Sequence, residues 1–281
     1  MLIIDRTFEP VELGPMSGFL EGLEGKEKFD KAIEVVKSLP IDGCITGSCW
    51  LPNYDPDLWD STDIDVFVYS KDDLIKALNI ADNILKMTPG TGSERSEAQE
   101  RWKLNRLETD GLNIKFGITT YKFNTDGVVV NFTFKSERFH GKWQEVTSAP
   151  AVLASFDMSI VLQAYDIKQH ILYDLRPSDV PNYRAVPNPM RRQDYMAWTV
   201  ARWVRQFDRC VKYWERGFDT RPVAEFYVEM IDEVIKAGCL FDSDDSQEYF
   251  AGIKEEFEAK RAQICEWLED KKREDAYLDV L

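Results

Sequence analysis

The sequence predicts an α+β protein, with a sheet-bearing domain followed by a helical one. Three observations carry this. Short β-rich runs separated by turn signals recur between residues 41 and 175. Residues 176–190 then hold Pro177, Pro181, Pro187 and Pro189, the mark of a linker. Beyond them the apolar residues recur at helical spacing only. The expected boundaries are 1–176 for the first domain, 177–189 for the linker and 190–281 for the second.

Composition bounds the rest. With 281 residues and 44% hydrophobic content the chain can bury a core. A net charge of −15 argues against a surface that coats nucleic acid, though not against a local basic site. Cys44, Cys49, Cys210, Cys239 and Cys265 are odd in number and show no metal spacing, so reduced, mostly buried thiols are expected. The opening MLIIDRTFEP has no basic region ahead of an apolar run, so it does not read as a signal peptide. No apolar stretch approaches the roughly 18–20 residues that span a bilayer. The expectation is a cytoplasmic protein without a membrane partner.

In order, residues 1–22 are rich in Pro and Gly and predict an irregular arm, with a short strand at Leu2–Ile4. Gly25 to Ser38 predicts a helix: Phe29, Ile33 and Val36 share a face, and Pro40 stops it. Ile41–Thr46 predicts a strand broken by Gly47-Ser48. A turn-rich insert, residues 49–62, carries Trp50, Tyr54 and Trp59, which either flank a ligand or pin the loop to the core. Asp63-Ile64-Asp65 then runs into Val66–Tyr69.

Side chains alternate along a strand, so Asp63 and Asp65 share a face, with Cα atoms roughly 6–7 Å apart. Two carboxylates so placed can hold hard cations such as Mg²⁺. Two such cations about 3.5–4 Å apart can clamp the attacking and leaving oxygens of a phosphoryl transfer. Glycine lets a backbone approach a phosphate, and Ser48 adds a hydroxyl donor. A helix starting there would add free N–H groups.

The order strand, Gly47-Ser48, spacer, Asp63-x-Asp65, apolar strand resembles the DNA polymerase β-like nucleotidyltransferase superfamily. The resemblance covers about thirty residues. It implies a nucleotidyltransferase-like mixed β-sheet domain that moves an NMP from an NTP to an acceptor and releases pyrophosphate. In that reading Asp63 and Asp65 hold Mg²⁺, with Mn²⁺ as a substitute, and Gly47 and Ser48 contact the β- and γ-phosphates. It also implies a third carboxylate on a later strand. The best positional match, in GVVVNFTF, is Asn131, whose amide is uncharged. The alternative is Asp157, an acid entering the expected strand Phe156–Tyr165. Both stay open at this point. Lys212–Phe218, KYWERGF, also resembles a phrase in phage and large-virus nucleotidyltransferase-like proteins.

The remaining elements follow. Ser70 to Met87 predicts a helix, capped by Ser70 with Asp72 and Asp73 in its first turn. Residues 88–100 predict a mobile loop, since their GTGS lacks the spacing and lysine of a phosphate loop. Strands are expected at Asn113–Tyr121 and Gly127–Phe134 around the Asp126-Gly127 turn, and at His170–Leu175. His140 and His170 are too few to found a zinc site with dispersed cysteines.

Arg191 to Gly217 predicts a helix with Met196, Val200, Trp203, Val204, Phe207, Cys210, Val211 and Trp214 on one face. Arg191, Arg202, Arg205, Arg209, Lys212 and Arg216 share another, beside Tyr195 and Trp198. Such a stripe can bind a triphosphate or an RNA backbone, Arg202, Arg205, Arg209 and Lys212 being the chosen residues. It can equally be a solvated face paired with Asp208 and Glu215. Two helices close the chain, one from Thr220 to Gly238, the other from Asp244 with Phe250, Ile253, Phe257, Ile264, Trp267 and Leu268 inward. The expected partners are an NTP and an RNA or small-molecule acceptor. A catalytically impaired nucleotide- or RNA-binding module on the same fold, and a non-enzymatic assembly protein, remain as other readings.

Overall fold

The structure, a computed structural model, describes residues 1–55, 57–58, 63–90, 118–139, 142–188, 200–238 and 244–278. The chain divides into two units. One comprises Met1–Ala154 with Val161–Pro177, the other Ser155–Ile160 with Ser178–Leu281.

The first unit is built on a nine-stranded mixed sheet among the described residues. Its strands are β1 (Leu2–Ile4), β2 (Gly43–Thr46), β3 (Ile64–Val68), β4 (Thr88–Pro89), β5 (Ile118–Thr125), β6 (Val128–Phe139), β7 (Lys142–Glu145), β8 (Gln163–Asp166) and β9 (Ile171–Asp174). The order across the sheet is β1-β9-β8-β2-β3-β6-β5-β4, with β7 added to the far end of β6. β3 and β6 run parallel, whereas the other described pairs are antiparallel. A parallel pair needs a long crossover. Here it includes a helix, α3 (Lys71–Asn83), which leaves β3 directly. Ser70 caps α3 as its spacing predicts, its hydroxyl accepting from the Asp73 N–H at 3.0 Å.

Alternation decides which face is dry. In β3, Ile64, Val66 and Val68 are buried while Asp65 and Phe67 are half-buried. The buried set joins Val130, Phe132 and Phe134 of β6 and Tyr121 and Phe123 of β5. Against them lie α1 (Met16–Leu20), α2 (Gly25–Lys37) and α3 through Met16, Phe29, Val36, Leu74 and Leu78. Each fully buried side chain of this kind contributes about 1.5–3 kcal/mol. The opposite face of the same strands carries Asp65, Asn131 and Lys122. The β5–β6 turn has positive φ at both Asp126 (51°) and Gly127 (85°), the geometry that an Asp-Gly pair favours.

Two expectations change. The stretch after Gly47 is a 3₁₀ helix, Gly47–Asn53, with Pro52 inside it. It is too short and too irregular to supply the free N–H groups of an α-helix end. The expected strand Phe156–Tyr165 is mostly a turn, followed by a 3₁₀ segment at Ser159–Val161 and only then β8. Its backbone bonds elsewhere: the Ser159 N–H donates to Val186 and the Asn188 N–H to Asp157. A short helix, α4 (Ala149–Ala154), precedes it. The expected strand residues 113–117 and the expected loop 91–100 lie outside the described residues, as do Trp59, His140 and Cys239.

The second unit holds α5 (Val200–Glu215), α6 (Arg221–Gly238) and α7 (Asp244–Leu278). Trp203, Phe207 and Cys210 of α5 are buried as their period predicts, with Tyr227 and Ile231 of α6 and Phe257, Ile264 and Leu268 of α7. Edge-to-face ring pairs tie the helices together: Trp203–Tyr227 at 5.3 Å and Phe207–Trp267 at 5.6 Å. Gly217, at φ 87°, ends α5. Residues 191–199, with Met196, Tyr195 and Trp198, lie outside the described residues, as do the Phe250 and Ile253 side chains.

Candidate functional site

The site is assembled by register across neighbouring strands. Thr46 of β2 pairs with Asp65 of β3, Asp65 with Asn131 of β6, and Asn131 with Lys122 of β5. Directly paired residues share a face, so one row of side chains crosses the sheet. Asp63 enters it from the residue before β3.

Asn131 is the hinge of this row. Its Nδ2 donates to Asp63 Oδ2 at 3.0 Å and to Asp65 Oδ1 at 2.9 Å. Both carboxylates therefore converge on one nitrogen. An amide oxygen in that place would face two anions, so the N–H side must turn inward. The Asn131 Oδ1 atom is buried and has no hydrogen-bond partner among the described residues. The residue as a whole is 6% exposed. Lys122 Nζ stands 3.9 Å from Asp63 Oδ2, with 32% of the lysine side chain and 42% of the aspartate exposed.

Gly47 closes one side. Its φ is 88°, a region L side chains rarely adopt, and a Cβ there would sit 2.9 Å from Asp65 Oδ2. Ser48 follows it and is buried. The next residue, Cys49, donates from Sγ to the Thr46 carbonyl at 3.2 Å. Burial, and then the Asp65 carboxylate, push its thiol well above the ordinary value, so it is no thiolate ligand. One row further along, Thr120 and Thr133 share a hydroxyl–hydroxyl bond of 3.0 Å, with Phe67 paired to Thr133.

Two of the insert's aromatics, Trp50 and Tyr54, are anchors. Trp50 is buried and its Nε1 donates to the Ile45 carbonyl at 3.0 Å. Tyr54 is bound through its hydroxyl by Gln163 and Asp174. His170 sits in a turn against Phe8, ring to ring at 4.9 Å.

Asp157, Arg205, Arg209 and Lys212 belong to the second unit. Asp157 and Arg209 are brought together, but with each other: Arg209 Nη2 lies 3.2 Å from Asp157 Oδ1. The Tyr227 hydroxyl donates to Asp157 Oδ2 at 3.2 Å. Asp157 thus stands in a bend, as the buried partner of a half-exposed arginine, and not at a strand root. Arg205 and Lys212 are exposed on α5, and the Arg202 side chain lies outside the described residues.

Does a metal suit these groups? Two carboxylates and one amide are hard oxygen donors, suited to Mg²⁺ or Mn²⁺. An amide donates hydrogen bonds but carries no charge, and one ammonium offsets one carboxylate. Among the described residues no group of three or more His, Cys, Asp or Glu side chains converges. The two carboxylates suit a hard divalent cation.

Lys122 is the residue that the motif did not reveal. A signal for it existed. A two-residue Asp126-Gly127 turn makes Thr125 face Val128, and counting back from there makes Lys122 face Asn131.

No protein-family model, no curated protein and no solved structure matches the chain.

Proposed function

We propose that the protein is a metal-dependent nucleotidyltransferase of the DNA polymerase β-like kind, moving an NMP from an NTP to an acceptor. The observation that carries this is the convergence of Asp63 and Asp65 on the Asn131 amide, across a parallel strand pair, beside a glycine whose positive φ and closeness to Asp65 disfavour a side chain. In the reaction a bond forms between an acceptor oxygen and the α-phosphorus. The bond from the α-phosphorus to the bridging oxygen breaks, and its electron pair leaves with pyrophosphate. The acceptor's proton passes to solvent.

Asp63 and Asp65 would hold the cation. Bound there, Mg²⁺ offsets the negative charge that gathers on the phosphate oxygens. Gly47 and Ser48 would bring backbone and hydroxyl donors to the β- and γ-phosphates. Asn131 holds the two carboxylates in one orientation. Arg202, Arg205 and Lys212 on α5 are assigned to the backbone of an RNA acceptor, whereas Arg209 is committed to Asp157. A reducing, cytoplasmic setting goes with the free thiols Cys44, Cys49, Cys210 and Cys265. None of the helices described is long and apolar enough to cross a membrane.

Asn131 also favours a second reading. A neutral amide takes no proton from an acceptor and brings no charge to a cation. That suits a module that binds a nucleotide without turning it over.

One experiment addresses both. Thermal unfolding is followed with each NTP, with and without Mg²⁺, for wild type and for Asp63→Ala/Asp65→Ala, alongside pyrophosphate release. At a hundred times Kd a ligand stabilises the native state by about 2.7 kcal/mol. A Mg²⁺-dependent rise lost in the double variant, with pyrophosphate released, is the expected result. A rise without pyrophosphate moves the conclusion to the binding module. No rise with any nucleotide ends both.

A further inference from the structure

We propose that Tyr183 is a stacking platform for a base of single-stranded acceptor RNA, and that Arg184 beside it meets the adjoining phosphate. The inference rests on the nucleotidyltransferase reading for the choice of RNA. It goes beyond that reading by placing a binding residue in the second unit, outside the basic face of α5.

Three observations support it. The first is exposure. Among the described residues the exposed aromatic side chains are Tyr54 and Tyr183, the latter at 41%. Tyr54 is accounted for by the bonds of Gln163 and Asp174 to its hydroxyl. The second is backbone cost. Tyr183 has a φ of 49°, a left-handed conformation that a bulky L residue rarely adopts, and such strain gathers at ligand clamps. Bonds on both sides hold it there. The Tyr183 N–H donates to the Val180 carbonyl at 2.9 Å and the Arg184 N–H to that of Asp179 at 3.0 Å. The Asp219 N–H donates to the Tyr183 carbonyl at 2.7 Å, and the Ala185 N–H to that of Asp219 at 2.9 Å. A ring presented on a fixed backbone loses little freedom when it binds. The third is what flanks the ring. It rests on the buried Phe218, with centroids 5.4 Å apart and planes 36° from parallel. Arg184 is next in the chain and exposed, and its planar fork suits a phosphate. The acid bridged to it, Asp219, accepts from Arg221 Nε at 2.8 Å and Nη2 at 3.1 Å, so that charge does not fall to Arg184 alone. An aromatic face stacks on any base and a cation beside it follows the backbone, which is the chemistry of single-strand binding. A duplex hides its base faces and does not fit.

The test reads RNA binding apart from turnover. Fluorescence anisotropy follows a labelled oligouridine on the full chain, with a duplex RNA and a single-stranded DNA in parallel. The single-stranded RNA should bind and the duplex should not. Tyr183→Leu keeps the strained backbone and an apolar contact with Phe218 but has no flat face. It should weaken the oligouridine about tenfold, while Tyr183→Trp holds or gains affinity. Arg184→Gln should lower the slope of log affinity against log salt by about 0.7, one phosphate contact on a single strand. In wild type a photo-activated 5-iodouridine cross-link should map to Tyr183. Unchanged affinity in a Tyr183→Leu whose circular dichroism matches wild type overturns the inference. So does a cross-link confined to other residues, equal binding of the duplex, or tighter binding of the DNA. No RNA bound by wild type, with the Mg²⁺-dependent nucleotide shift intact, overturns it and leaves the proposed function standing. Neither RNA nor nucleotide bound overturns both.

Discussion

Asp157 in the second unit and the Asp63–Asp65 pair in the first are held by different kinds of partner. Asp157 is 6% exposed, 3.2 Å from the Arg209 guanidinium, and accepts from Tyr227. Its charge is matched where it stands. Asp63 and Asp65 share one neutral amide, and the ammonium beside Asp63 is 3.9 Å away. Among the described residues, both acids accept from a neutral amide and Lys122 stands beside Asp63. Closely matched charge in a buried place is architecture, whereas two neighbouring acids at the edge of solvent suit a cation that comes and goes. The difference lies in the partner and not in the acid.

The largest expected effect tests the architectural side. Asp157→Ala removes an acceptor from Arg209 and Tyr227. Loss of one partner from a buried pair costs about 3–5 kcal/mol, and with Arg209 41% exposed the expectation is about 2–3 kcal/mol. Urea unfolding read by tryptophan fluorescence measures it. A cost below about 0.5 kcal/mol would break the comparison.

Gly47→Ala comes next. A non-glycine residue at left-handed φ costs roughly 1–2 kcal/mol, and the new methyl presses on the Asp65 carboxylate. Nucleotide affinity should fall together with stability. A variant that loses neither shows that the turn is not held as described.

Asp63→Asn and Asp65→Asn should then cost under about 0.5 kcal/mol each, because each removes repulsion between neighbouring anions. The Mg²⁺-dependent nucleotide shift should nevertheless vanish. A stability cost as large as that of Asp157→Ala would make this pair architecture too.

The smallest effect at neutral pH comes from a buried thiol and grows only in alkali. Burial pushes the Cys44 thiol up to about 12. The unfolded thiol ionises near pH 8.5. Between those values the folded state holds the extra proton, so stability declines as pH rises through that window. Cys44→Ala should flatten the slope in pH-dependent urea unfolding. For the same reason native-state alkylation at pH 8 should reach the half-buried Cys265 before Cys44 or Cys49.

Much of the first unit was legible because its signals are local. Ser70 capping, the period of α2 and α3, and the Asp126-Gly127 turn each specify structure within a few residues, and each appears as expected. The placing of Asp63 and Asp65 on one face follows from alternation alone. Asn131 could be nominated, but its bonds to both acids depend on a register set by the whole sheet. Asp157 misled for the opposite reason. An acid ahead of Met158-Ser159-Ile160-Val161 looks like a strand root, yet that backbone bonds to Val186 and Asn188 and forms a turn. Arg209 likewise reads as part of a basic stripe until the acid that neutralises it is seen, and that acid lies far away in the chain.

The parallel pairing of β3 with β6 has a consequence for timing. Asp65 and Asn131 are separated by 66 positions, and contacts of that span form after the local helices and hairpins. During synthesis the two aspartates therefore leave the ribosome well ahead of the amide that will hold them. A nascent chain that stops short of β6 carries the acidic motif without the site. On the proposed function, nucleotide capture would report that β6 has joined β3, not merely that the motif has been made.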